Sequence, residues 1–148
     1  MPQQKLRNRK SWSGPMKFRV HQYRDLELTI HEATELINTH DIVSILKDFY
    51  QSRVTTYLIW DLNKGGNPEI TENDIKKIIG ISKEYGSQRN NGKTAIVTDN
   101  DLFYGISRMF EIYYEMETDL SLQVRVFRNF KEAIACFGIN FKDSWLPY

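Results

Sequence analysis

Asp61 and the triplet Thr98-Asp99-Asn100 each close a short β-branched or aromatic run, and Tyr104 and Arg108 follow the triplet one helical turn apart. Brought to one rim, these carboxylates, the hydroxyl, the amide, the phenol and the guanidinium would hold a polar or anionic ligand by charge-assisted hydrogen bonds. A helix starting at Asp101 would add its unpaired amide donors, so an anion suits the rim best. They converge only if the runs before them are parallel strands, because ligands of such sheets bind outside the C-terminal strand ends. Asp61, Thr98, Asp99, Asn100, Tyr104 and Arg108 are therefore the candidate ligand-binding residues, with Asn129 after the last strand on the same rim. The competing account pairs Arg108 with Glu111 or Asp61 as scaffold and fills the crevice with side chains.

Other apparent motifs fail on context. Gly92-Lys93-Thr94 imitates the end of a phosphate loop, but Ser87 stands where the first glycine belongs and a strand follows where a helix is required. Gly105-Ile106-Ser107-Arg108-Met109 lacks the last glycine of a nucleophile elbow and lies inside a helix pattern. His21 and His31 fall on the polar alternation of two strands and His40 in a helix first turn, which predicts surface histidines without metal-ligand neighbours. Asp99 and Asp101 bracket a helix start, where acids favour the dipole. No catalytic residue, metal or cofactor is predicted.

The elements that must position the rim are legible as periodicities. Met16, Phe18 and Val20 alternate, as do Leu26, Leu28 and Ile30, with Tyr23-Arg24-Asp25 between them, which predicts a half-buried antiparallel hairpin. Thr39 reads as the N-cap of a helix carrying Ile42, Ile45, Leu46 and Phe49. Thr55 to Trp60 reads as a buried strand, Thr71 as the cap of a helix with Ile75, Ile78 and Ile79, and Thr94 to Val97 as a second buried strand. A helix from Asp101 to about Met116, a strand Leu122 to Phe127 and a helix from about Asn129 complete the order ββαβαβαβα. Strands separated by helices imply right-handed crossovers, hence an α/β fold with a mixed, mainly parallel sheet of about five strands and helices packed against it.

The 148 residues suit one domain, residues 16–148, behind an arm of residues 1–15. That arm holds Lys5, Arg7, Arg9 and Lys10 and no acid, so the rest of the chain carries 16 basic against 19 acidic residues. Its composition predicts a flexible tail, and the body has no basic stripe with interleaved aromatics, so no nucleic-acid partner is expected. One cysteine, Cys136, cannot form an internal disulfide and suits a reducing compartment. No apolar run approaches the roughly 20 residues that cross a bilayer, and a cytoplasmic location follows as the expectation.

Leu58-Ile59-Trp60-Asp61-Leu62 before a helix, Lys93-Thr94-Ala95-Ile96-Val97, Tyr104-Gly105-Ile106-Ser107-Arg108-Met109 and Val126-Phe127-Arg128-Asn129-Phe130-Lys131-Glu132-Ala133 give the chain a further character. Together with the element order they resemble the SpoIIAA-like proteins, relatives of the STAS domain named for sulphate transporters and anti-sigma-factor antagonists. The resemblance covers most of the body and implies a small cytoplasmic α/β protein. The antagonists bind a partner kinase or anti-sigma factor, and phosphorylation of a serine in an Asp-Ser pair before the second main helix releases it. The matching segment here, Asn67-Pro68-Glu69-Ile70-Thr71-Glu72, has no such pair and offers Thr71 as its one hydroxyl. A phosphate there would gain from the helix N-terminus but meet Glu69, Glu72 and Asp74, so Thr71 is expected to be a cap and not a switch.

Two function classes follow: a non-enzymatic regulatory or protein-interaction module of the SpoIIAA-like type, or a binder of a small anionic ligand such as a nucleotide, lipid or metabolite. In the helix from Asp101, Leu102, Ile106, Met109, Tyr113 and Met116 form one stripe, read as the core face. Phe103, Phe110 and Tyr114 form a second about 100° away, read as the interface of a twofold homodimer.

Overall fold

The computed structural model describes residues 9–13, 17–67 and 69–142. From Phe18 onward the order is the predicted one: β2 (Phe18–Tyr23), β3 (Leu28–Ala33), α1 (Thr39–Ser52), β4 (Tyr57–Asp61), α2 (Glu72–Tyr85), β5 (Lys93–Val97), α3 (Asp101–Glu117), β6 (Gln123–Phe127) and α4 (Phe130–Phe137). One strand precedes them. The backbone of β1 (Arg9–Ser13), within the segment read as an arm, pairs antiparallel with β2 along the sheet edge. Residues 1–8, including Lys5 and Arg7 of that arm, and Met16 lie outside the described residues.

The strand order β1-β2-β3-β4-β5-β6 never reverses; β2 pairs antiparallel with β3, and β3 to β6 are parallel. Successive right-handed crossovers that advance in one direction put their helices on one face. Accordingly α1, α2 and α3 all bury their apolar stripes against the same side of the sheet, on Phe18, Val20, Leu58, Trp60, Ile96 and Val126. The other side carries Tyr23, Leu28, Ile30, Ile59, Ala95 and Val97, covered by Ala133 and Phe137 of α4 and by Ile139 and Phe141 beyond it.

Helix starts are set by local chemistry. Thr71 and Asn129 accept from the third amide of α2 and α4, and Asp74 answers Thr71 to close a capping box. At α1 the cap is Asn38, boxed with Asp41, one residue ahead of the Thr39 that the sequence suggested. An amide oxygen caps as well as a hydroxyl does, and the helix takes the earlier residue.

Two expectations are corrected here. His21 and His31 are buried, not on the surface. Polar-out alternation holds for a sheet with one solvated face, but β2 and β3 are interior strands covered on both sides. His21 meets its polar neighbour within the sheet, its Nε2 standing 2.9 Å from Glu32 Oε1. The face that α3 turns inward is also shifted: Phe103 and Tyr114 are buried and Phe110 half-buried, while of the expected core stripe Ile106, Met109 and Tyr113 keep partial contact with the core and Leu102 and Met116 are exposed. The aromatic stripe carries more apolar area, since each such ring buries about 150–250 Å², and turning it inward seats Phe103 against Gly66.

Candidate functional site

Side chains alternate between the faces of a strand, so the register decides which rim residues can meet. Asp61 shares its face with Ile59 and Glu32, opposite to the face that carries α3. Its buried carboxylate accepts the Asn63 amide at 3.2 Å. Asp61 is thus separated by the sheet from Tyr104 and Arg108. At the end of β5, buried Thr98 accepts the Asn100 amide at 3.3 Å, the Asp99 amide reaches Asn63 Oδ1 at 2.9 Å, and Asn100 caps α3 by accepting from Phe103 at 2.8 Å.

Tyr104 and Arg108 part company one turn later. Arg128 lies over the Tyr104 ring, its guanidinium carbon 4.0 Å from the centroid, and donates to Asp101 and to the Asp99 carbonyl. Arg108 turns to Glu111 at 2.7 Å, and the other oxygen of Glu111 accepts the Val126 amide at 3.2 Å, occupying a donor on edge strand β6. Arg128 therefore gathers Asp99, Asp101 and Tyr104, while Thr98 and Asn100 spend their side chains on backbone amides and Asp61 and Arg108 lie apart. The physical reason lies in the topology, because a ligand crevice opens where strand order reverses and this order does not.

The space that does open lies on the three-helix face. A cavity of about 80 Å³ runs between the sheet and α1, α2 and α3, lined mainly by aliphatic and aromatic side chains such as Leu58, Ile75, Ile96, Ile106 and Phe110. Its polar lining comes mostly from strand starts and helix ends, which parallel topology places together: Thr94 is the second residue of β5, while Tyr50, Ser82 and Tyr114 stand in the last turns of α1, α2 and α3. Arg89, in the short 3-10 turn before β5, joins them. Only Ser107, midway along α3, lies apart from this polar end.

Arg89 is only 3% exposed and ties two strand entries together. It donates from Nε to the Thr55 carbonyl at 2.9 Å, from Nη1 to Thr94 Oγ1 at 2.8 Å, and from Nη2 to the Thr56 and Lys93 carbonyls at 2.9 and 3.0 Å. The Phe49 ring faces the guanidinium at 5.3 Å. All these partners are neutral; burial lowers the Arg89 pKa, and the adjoining Tyr50 and Tyr114 oppose that shift. The Tyr114 hydroxyl is buried without a hydrogen-bond partner. Burial, with Tyr50 beside it, pushes its pKa up to about 12 against the opposing pull of the Arg89 charge and of the nearby Thr118 side chain. Nothing local in the sequence marks Arg89, Tyr50 or Tyr114 as a group, since they are assembled from three distant segments.

The proposed dimer face needs Phe103, Phe110 and Tyr114 at the surface, and their inward rotation removes it. The outer side of α3 presents Leu102, Met109, Ile112 and Met116 instead, within a sector of about 80°. Thr71 is the α2 cap, with its hydroxyl accepting the Asp74 amide at 3.2 Å. Among the described residues no group of three His, Cys, Asp or Glu could hold a metal, and no helix is long and apolar enough to cross a membrane. No family model, curated protein or solved structure matches the chain.

Proposed function

We propose that the protein is a non-enzymatic interaction module of the kind its SpoIIAA-like resemblance implies, acting in the cytoplasm and associating with a second copy through the outer side of α3. The observation that carries this reading is the exposure of Leu102 at 61%, Ile112 at 49% and Met116 at 73%, with half-buried Met109 between them. Three of the four large hydrophobics exposed among the described residues are gathered on this one helix. Contiguous apolar exposure of this kind marks contact surfaces.

Leu102, Met109 and Met116 recur at steps of seven with Ile112 beside them, the period of helices that pack in pairs. An antiparallel twofold pair centred on Met109 would set Leu102 of one copy against Met116 of the other, and Gly105, with open space beyond its Cα, permits close approach. Light scattering at micromolar concentration is expected to give a mass above one chain, and Met116→Glu to lower it toward one. A wild-type monomer over that range refutes self-association.

A further inference from the structure

We propose that the cavity beneath α3 binds a small monocarboxylate with an unbranched apolar tail, its carboxylate accepting from Tyr114 with Arg89 as the balancing charge. Protein interiors are packed nearly as tightly as organic crystals, and voids larger than a water are few. The cavity of about 80 Å³ has room for roughly five to eight water-sized groups, each needing on the order of 10–15 Å³. Water fills such a space poorly, because each molecule needs two to four polar partners and the polar lining is concentrated at one end. An aliphatic chain of matching length meets the side chains of Leu58, Ile96 and Ile106 at no such cost.

The polar end selects the head group. Tyr114 is 97% withdrawn from solvent, lines the cavity and holds a hydroxyl that makes no hydrogen bond of good geometry, with the Thr118 side chain its one polar neighbour on its own helix. Its raised pKa keeps that hydroxyl protonated, so it can donate. Arg89 stands in the same group as a buried cation whose hydrogen-bond partners are carbonyls and the neutral Thr94 and Tyr50 side chains, with no carboxylate ion pair among the described residues. Dipoles solvate that charge without neutralising it, and a single anionic oxygen pair nearby gains from the low local dielectric. One free donor and one positive charge fit a monocarboxylate. A phosphate would bring more charge and need more donors than this end supplies.

The inference is independent of the outer side of α3, since Tyr114 and Met116 point to opposite sides of the helix. Hexanoate and hexanol, which share a chain and differ in the head, provide the test on the full-length protein by methyl NMR titration. Hexanoate is expected to bind saturably, with shifts at the Ile, Leu and Val methyls of the cavity, and more tightly than hexanol. Tyr114→Phe removes only the unpartnered oxygen and is expected to weaken hexanoate by about tenfold or more. Absence of saturation up to about 10 mM, equal affinity for the alcohol, shifts confined to the surface, or undiminished binding by a folded Tyr114→Phe protein would each overturn the proposal.

Discussion

His31 and Trp60, register partners on adjacent parallel strands, meet edge to face with ring centroids 4.5 Å apart. Phe18 and Phe49 close on the imidazole from two further directions at 6.2 and 5.7 Å. Neither ring nitrogen has a hydrogen-bond partner. The histidine therefore serves as a neutral aromatic, and burial, reinforced by the charges of Arg89, Arg53 and His21, lowers its pKa from 6.5 to about 3.

Acid sensitivity follows from that shift. Between pH 6.5 and about 3 the unfolded chain holds the His31 proton and the folded chain does not. The stability contribution is complete above pH 6.5 and falls by about 1.4 kcal/mol per pH unit as pH drops toward 3, on the order of 5 kcal/mol in all. His31→Phe should lessen the fall between about pH 6 and pH 4 and raise stability at neutral pH. Urea denaturation across a pH series measures both, and an unchanged slope in the variant counts against this account.

Arg89 is expected to be a stability residue whatever the cavity holds. Replacing it by Met leaves the carbonyls of Thr55, Thr56 and Lys93 without their guanidinium donor at the entries of β4 and β5. A loss of about 2–5 kcal/mol in chemical denaturation is expected, from three buried carbonyls left unpaired at about 1–3 kcal/mol each, offset in part by the relieved burial of the guanidinium. A loss under about 1 kcal/mol would show that water replaces those bonds freely.

Gly66 sets the approach of α3 to the sheet. A Cβ there would lie 2.7 Å from Phe103 Cγ, near the stem of that side chain where little movement is available. Gly66→Ala should displace the start of α3 and cost about 1–3 kcal/mol, read from the shift in the denaturation midpoint. Gly80→Ala, an open helical position, serves as the control and should stabilise slightly.

Thr71 should behave as a cap. Its hydroxyl and the Asp74 carboxylate satisfy each other's backbone amides, and the amide of Thr71 holds the Asp74 pKa below its ordinary value. Thr71→Ala is expected to cost about 1 kcal/mol and Thr71→Ser little. Intact-mass analysis from the native host should find no substantial phosphate at Thr71, and a phosphorylated fraction mapped there would restore the switch.

What the sequence determined by itself was the set of elements and their order. The alternation of Phe18 and Val20, the isoleucine spacing before Tyr85 and the cap at Thr71 depend on neighbours a few residues away, and local periodicity records them. Only the tertiary structure decided which faces those elements present. Two stripes on α3 were both apolar enough for a core, and the choice fell to Phe103, Phe110 and Tyr114 through packing against the sheet and Gly66. His31 changed from an outward polar residue to a core aromatic because β3 lies between β2 and β4 under three helices. The rim residues are strand ends and a helix start, as their local pattern dictates, but the period-two pleat sends Asp61 to the far face and an unreversed strand order leaves no crevice between them. The polar end of the cavity was invisible in the chain because Tyr50, Arg89 and Tyr114 meet only when three separate segments end at the same edge of a parallel sheet.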